Sequence, residues 1–292
     1  ILREDGPEAA ISQIDSILAE IEDAEDAASF RALRAGIRFD QGERDAAIEE
    51  MEAILEGELS PEISGRISVA LSRMLMATGN QVGARALVEE VLSEDGTQVD
   101  ALKMKAAWLI EEDETREAVS LLRTALDNSP EDVEALTLTA QAHARNGDRN
   151  LAREFLALAV EASNSEPEVT IRYANLLASE ERYLPAEEAL IDALRLAPGN
   201  LQLLTALGEL YIAMEDWPRA EQVEETLRRQ EIEAATRVAT GLQASRLAAQ
   251  GNMEDAVAFL EELASAGGGQ DLAAEIAVIR ARLANDDTEG AL

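Results

Sequence analysis

Few residues of this chain have the types and spacing that catalysis or metal binding requires. Cysteine is absent, which excludes disulfides, thiolate metal sites and cysteine nucleophiles. The single histidine, His143, falls on the apolar stripe of a predicted helix, where a histidine at the edge of the core is more typical than a ligand or a general base. The sequence therefore predicts a protein that is not an enzyme and that binds no metal and no cofactor.

Three further stretches lack the residues that would complete a functional motif. The run Gly267–Gly269 is not followed by the lysine and hydroxyl residue of a phosphate-binding loop, so we interpret it as a linker. Residues 285–290 begin like a calcium loop, but no bidentate glutamate follows at the required spacing. The acidic cluster Glu111–Glu114 stands at a predicted helix end, where capping and solvation explain it. None of these stretches supports hydrolysis or ion binding.

The charge balance limits the classes of partner. Aspartate and glutamate number 59 against 25 lysines and arginines, so the formal net charge is −34. This charge repels phosphate backbones and anionic membrane surfaces, which predicts no nucleic-acid ligand. No apolar run approaches the roughly 20 residues of a membrane span. Only Lys103 and Lys105 are lysines, a bias typical of GC-rich bacterial genomes, and the composition is compatible with either the cytoplasm or the periplasm.

The elements that position all side chains follow from a repeat. Alanines recur at a spacing of 34 residues, at Ala84, Ala118, Ala152, Ala186 and Ala220. A fixed period of about 20 to 50 residues indicates a solenoid, in which each unit buries its apolar face only against its neighbours. A residue where two helices cross closely must be small, which explains the alanine.

Each repeat has the pattern of two helices joined by a short polar turn. In residues 99–132, apolar residues recur at helical spacing on both sides of the polar stretch 111–114. Pro130 ends the second helix, as Pro198 does two repeats later. Glycines expected to end helices in left-handed conformations recur at the turns, at Gly42, Gly79, Gly147 and Gly251. The first helices carry a second series of small residues, which is predicted to let the second helix of the same repeat pack closely against the first. These residues are Ala106, Ala140, Ala174 and Gly208.

This pattern resembles the tetratricopeptide repeat family, over nearly the whole chain. The repeat that begins at Leu201 carries the resemblance best, with apolar, small and aromatic residues in the family's positions at Leu204, Leu207, Gly208, Tyr211, Trp217 and Ala220. The resemblance implies an all-α fold, a right-handed superhelical solenoid of tandem helix-turn-helix repeats. In this family the first helices line the inner, concave surface, which implies that partners bind there.

The repeats can be delimited along the chain. Residues 1–27 read as the second helix of a leading repeat, and the apolar face of that helix suggests a homodimer through this end. A glycine loop, a capping helix and a disordered tail are predicted over 267–292, and the helix boundary between 228 and 240 stays open. The repeats themselves are predicted at 28–64, 65–98, 99–132, 133–166, 167–200, 201–234 and 237–266.

Inward-facing positions implied by the resemblance give candidate partner-binding residues. They are Arg31, Arg38, Arg66, Arg73, Lys103, Gln141, Arg145 and Asn175. The cations concentrate in the N-terminal half, where they either balance neighbouring carboxylates or bind an acidic or C-terminal segment of a partner. We therefore predict a scaffold or adaptor that binds a protein or peptide in its groove. The alternative is the repeat arm of a larger enzyme or of an envelope secretion or assembly machine.

Overall fold

A computed structural model describes residues 6–252 and 257 of the chain. This part contains helices joined by short turns and no strand, so the predicted all-α class is confirmed for it. The predicted glycine loop, capping helix and tail lie outside the described residues, as does most of the last predicted repeat beyond residue 252. The helices are α1 (Gly6–Leu18), α2 (Ala24–Asp40), α3 (Arg44–Leu55), α4 (Pro61–Ala77), α5 (Gln81–Glu94), α6 (Val99–Glu111), α7 (Thr115–Asn128), α8 (Val133–Arg145), α9 (Arg149–Ala162), α10 (Pro167–Ser179), α11 (Tyr183–Leu196), α12 (Leu201–Ala213), α13 (Trp217–Arg228) and α14 (Glu233–Ala249).

The chain divides into two compact bodies. The N-terminal body comprises Ile1–Ala152 and the C-terminal body Arg153–Leu292. In the N-terminal body the hairpin pairs α2 with α3, α4 with α5 and α6 with α7 are packed, and first helices of successive hairpins also touch. The C-terminal body pairs α10 with α11 and α12 with α13, and α14 packs on both α12 and α13. Each body is therefore a file of helix hairpins that bury their apolar stripes against neighbours.

The recurring alanines are core residues, as predicted. Ala84, Ala118 and Ala186 are fully buried, and Ala152 and Ala220 are at most 2% exposed. At the second small-residue series the structure corrects the expectation in one respect. A side chain at Gly208 would meet Cδ1 of Leu242 at 2.6 Å, so the helix that this glycine admits is α14, which follows the hairpin, and not the second helix of its own repeat.

The residue at the turn of each hairpin has a left-handed backbone conformation, whether or not it is a glycine. The predicted turn glycines Gly42, Gly79, Gly147 and Gly251 all have positive φ, between 85° and 98°. The same left-handed conformation recurs at the intervening 34-residue positions with acidic residues, at Asp113, Glu181 and Glu215, where φ lies between 56° and 64°. A further left-handed residue, Glu231 with φ 55°, separates α13 from α14 and fixes the boundary that the sequence left open.

Replacing the acidic residue at one such corner with glycine is expected to stabilise the protein. A left-handed conformation is strained for a residue that carries a Cβ, and glycine adopts it without that strain. Glu181→Gly should raise the free energy of unfolding by about 1 kcal/mol. Urea denaturation measures the change, with Gly147→Glu as the reverse control that should lose stability. Equal stability of Glu181→Gly and the wild type would contradict the prediction.

The first helix packs against the second. α1 covers Gly6–Leu18 and so forms the one helix expected in residues 1–27 up to Leu18, while α2 already begins at Ala24. Its Ala10 and Ile14 are buried in a cluster with Ile37 of α2. The apolar stripe of this helix is thus partly covered by α2, and homodimerisation through this end stays a prediction.

Candidate functional site

A cavity of about 700 Å³ lies between α2 and α4, the first helices of two successive hairpins of the N-terminal body. Its lining is mainly apolar and includes Leu33 and Ile37 from α2 and Ile63, Ile67 and Met74 from α4. Leu33 is 52% exposed, although leucine is ordinarily a core residue. The cavity is therefore an open apolar site of the size of small-ligand and peptide pockets.

Small residues on both walls create the space. Ala32 and Gly36 lie on the α2 wall, and Ala70 lies on the α4 wall. A Cβ atom built at Gly36 would meet nothing within 4 Å. The repeat pattern did not predict this site, but the signal was present as a glycine and alanines on the inner faces of two neighbouring first helices.

Two of the eight candidate residues, Arg66 and Arg73, meet at this cavity. Both are exposed, and because seven residues are two helical turns, they lie about 10 Å apart along one face of α4. Nη2 of Arg73 lies 3.3 Å from Oδ1 of Asp100, and the two side chains are 53% and 42% exposed. Within the part of the chain that the structure describes, no ion pair involves Arg66.

The α2 wall contributes one charge of the opposite sign. Asp40, the last residue of α2, lines the cavity and is exposed. Since the C-terminal end of a helix has a partial negative charge, a carboxylate at this position is unfavourable for the helix. The charged lining thus consists of two guanidinium groups from α4 and one carboxylate from α2.

Arg31 and Arg38 do not line the cavity, in contrast to their expected place on the same inner side. Arg38 stands five residues after Leu33, which turns it about 140° around the helix. Its Nη1 lies 3.2 Å from Oε2 of Glu50 on α3. Arg34 binds the same Glu50, and its Nη1 lies 2.6 Å from Oδ1 of Asp15 on α1. Arg34 and Arg38 therefore lie on a face of α2 that contacts α1 and α3, and this face does not line the cavity.

Lys103 is buried, and three carboxylates surround its ammonium group. Nζ lies 3.0 Å from Asp100, 2.9 Å from Asp132 and 2.9 Å from Glu134, and the side chain is 7% exposed. Burial by itself lowers the pKa of Lys103, but the hydrogen bonds to the carboxylates outweigh it and raise the pKa. Lys103 therefore links α6 to α8 through ion pairs, and its ammonium group is buried among these carboxylates.

Asp100 contacts both Arg73 at the cavity and the buried Lys103. Burial raises its pKa, but the hydrogen bond and charge of Lys103, with a contribution from Arg73, give a net lowering. The carboxylate is therefore held ionised between the buried lysine and the arginine at the cavity.

The remaining candidates lie elsewhere. Gln141 is exposed on α8, and Nε of Arg145 binds Oδ1 of Asp113 at 2.6 Å. Asn175 is exposed on α10 and belongs to the C-terminal body. Of the eight predicted residues, Arg66 and Arg73 thus line the cavity, and Lys103 shares Asp100 with Arg73.

His143 sits at a second, smaller cavity of about 190 Å³, which Thr115 and Asn146 also line. Its Nδ1 lies 3.7 Å from Oδ2 of Asp148, and the side chain is 13% exposed. In the described part of the chain, no three histidine, cysteine or acidic residues are grouped as a metal site would require. Likewise, none of the described helices has the length and apolarity needed to cross a bilayer.

Comparison with known proteins gives one family match. A model of the tetratricopeptide repeat family matches residues 109–179. No curated protein matches the chain significantly.

Solved structures share the fold at low sequence identity. A tetratricopeptide repeat protein from Parabacteroides merdae is 18% identical with a TM-score of 0.57, over 86% of this chain and 97% of that one. PilF of Pseudomonas aeruginosa is 19% identical with a TM-score of 0.56, over 76% and 99% of the two chains. Yeast Tom70 is 13% identical with a TM-score of 0.61, over 96% of this chain and 60% of its own. The family model thus matches residues 109–179, and the stacked helix hairpins of the described residues share the fold of tetratricopeptide repeat proteins.

Proposed function

We propose that the chain is a non-enzymatic scaffold that binds a protein or peptide segment at the α2–α4 cavity. The observation that carries this proposal is an open apolar cavity of about 700 Å³ between two first helices. Open apolar surface of this kind is typical of interaction sites, because water contact with it is unfavourable until a partner covers it.

The mechanism is equilibrium binding to a preorganised surface. The cavity walls are two regular helices, whose side chains are already positioned by packing on α3 and α5. The ordering cost of association then falls mainly on the partner segment. The strongly negative charge of the chain, −34 overall, disfavours nucleic acid as that partner.

Filling the cavity should abolish binding without harming the fold. A leucine at position 36 branches from a Cβ atom that would meet nothing within 4 Å, at a residue that lines the cavity. Replacing a helical glycine also favours the helix by up to about 1 kcal/mol. Peptides selected from a phage-displayed library on the wild-type protein should therefore bind Gly36→Leu at least about tenfold more weakly, as measured by fluorescence anisotropy.

The matched control is Gly241→Leu on α14, in the C-terminal body. Gly241 is also a helical glycine at which an added Cβ would meet nothing within 4 Å, and it does not line the cavity, so the substitution has the same chemistry outside the proposed site. Selected peptides should bind it like the wild type. A library that yields only peptides indifferent to Gly36→Leu would refute the proposed site.

A further inference from the structure

Resting on the proposed function, we infer that the segment bound at the α2–α4 cavity is acidic. The bound segment carries two carboxylates about 10 Å apart, and between them a bulky apolar side chain that enters the cavity. This chemistry of the partner goes beyond what an apolar cavity alone would specify.

The first step is the placement of the two arginines. Arg66 and Arg73 both line the cavity, and Ala70 and Met74 of the same helix line it beside them. An apolar side chain seated against Ala70 would therefore lie between two guanidinium groups. Each of these groups can bind a carboxylate through two parallel hydrogen bonds.

The second step is that both arginines are available. No described residue forms an ion pair with Arg66, and Arg73 has only the exposed contact with Asp100. Asp100 also accepts a hydrogen bond from Nζ of Lys103, at 3.0 Å. When Arg73 turns to a ligand, Asp100 keeps a cationic partner, so the exchange leaves no charge unpaired.

The third step is charge complementarity. The chain as a whole repels acidic segments, since its net charge is −34. At the cavity the lining reverses that sign, with two cations against the single carboxylate of Asp40. An acidic segment is therefore attracted at this place and opposed over most of the remaining surface, which gives the site selectivity.

The spacing of the arginines selects an extended segment. A polyproline-type strand has three residues per turn and rises about 3.1 Å per residue, so residues three apart share a side at about 9 Å. This matches the two-turn spacing of Arg66 and Arg73 on α4. A helical ligand would instead need carboxylates seven residues apart to span about 10 Å.

The test uses a fluorescein-labelled ten-residue peptide with two glutamates three residues apart, a leucine between them, and proline and serine elsewhere. Arg66→Gln and Arg73→Gln should each weaken binding about fivefold and together about 25-fold. Asp40→Asn should strengthen it about twofold, and added salt should weaken it. All these side chains are exposed, so unchanged circular dichroism and thermal unfolding are expected and serve as the folding check.

Charge reversal provides the decisive control. The double variant Arg66→Glu with Arg73→Glu should lose the glutamate peptide and gain a peptide with lysines in the same places. The inference is overturned if the wild type binds a glutamine peptide equally well, fails to bind the glutamate peptide, or prefers a helical peptide with glutamates seven apart. Binding that is sensitive to Gly36→Leu but not to the arginines leaves the proposed function intact. Failure of every peptide to respond to Gly36→Leu refutes the proposed function itself.

Discussion

Replacing Arg246 with methionine is expected to lower the free energy of unfolding of the C-terminal body by about 4 kcal/mol. Glu224 on α13 is 2% exposed, and both its oxygens bind Arg246 of α14, at 2.8 and 3.2 Å. The hydrogen bonds to Glu224 also raise the pKa of Arg246. Without the arginine, the one cation that the buried carboxylate keeps among the described residues is Arg228, whose Nη1 is 3.9 Å away. An uncompensated buried charge of this kind is strongly destabilising.

The measurement is urea denaturation followed by the fluorescence of Trp217, in a Trp108→Phe background that removes the other tryptophan. Arg228→Met is the matched control, since this arginine is 41% exposed and its contact with Glu224 is long. It should cost less than about 1 kcal/mol. Glu224→Leu combined with Arg246→Met should recover most of the loss, because an apolar pair replaces a buried ion pair at little cost. Equal stability of the two single arginine variants would contradict this prediction.

Replacing Lys103 with methionine should destabilise the N-terminal body by about 3 kcal/mol. The ammonium group binds Asp100, Asp132 and Glu134 at 2.9 to 3.0 Å, so its removal leaves three carboxylates around one point. Asp132 also accepts a hydrogen bond from the backbone N–H of Ala135 and caps α8. Repulsion among the carboxylates therefore acts on the start of a helix as well as on the α6–α8 contact.

The control is the only other lysine, Lys105, whose Nζ contacts Glu89 at 2.8 Å. Its partner is 57% exposed, so Lys105→Met should cost less than about 1 kcal/mol. Urea denaturation followed by Trp108 fluorescence in a Trp217→Phe background measures both variants. A loss for Lys103→Met no greater than for Lys105→Met would show that the buried cluster is not stabilising.

The loss caused by Lys103→Met should also depend on pH. The pKa of Lys103 is raised above its ordinary 10.5, so its contribution is complete below that pH and is lost progressively as the pH rises from 10.5 through the raised pKa. The pKa of Asp100 is lowered from 3.8, so its contribution is present above that pH and is lost as acid protonates it. The difference from the wild type should be constant from about pH 5 to 9 and shrink below about pH 3.8.

The repeat architecture could be predicted from sequence because its cause is local. An alanine every 34 residues indicates one close helix–helix contact per repeat. Ala84, Ala118 and Ala186 are fully buried, as this prediction requires. The boundary between α13 and α14 could not be read in the same way. Its corner residue is Glu231 with positive φ, and nothing in a glutamate signals a left-handed turn.

The candidate site was harder to predict because it depends on helix phase and on distant partners. A rotation of about 140° around α2 separates Leu33, which lines the cavity, from Arg38, which contacts Glu50 on α3. For Lys103, two of the three carboxylates stand 29 and 31 residues later in the chain, at Asp132 and Glu134. Sequence placed Arg66 and Arg73 on one face, but only the three-dimensional structure revealed the apolar cavity between α2 and α4.

The left-handed corners recur at a spacing of 34 residues whether glycine or an acidic residue occupies them. The flanking helices, and not the corner residue, therefore dictate the path of the backbone at the tip of each hairpin. Mutation can exchange glycine for glutamate there while the hairpin keeps its shape, and each exchange adds a negative charge far from the core. The tips are thus places where the chain acquires the mutual repulsion that keeps crowded copies of it from adhering to one another.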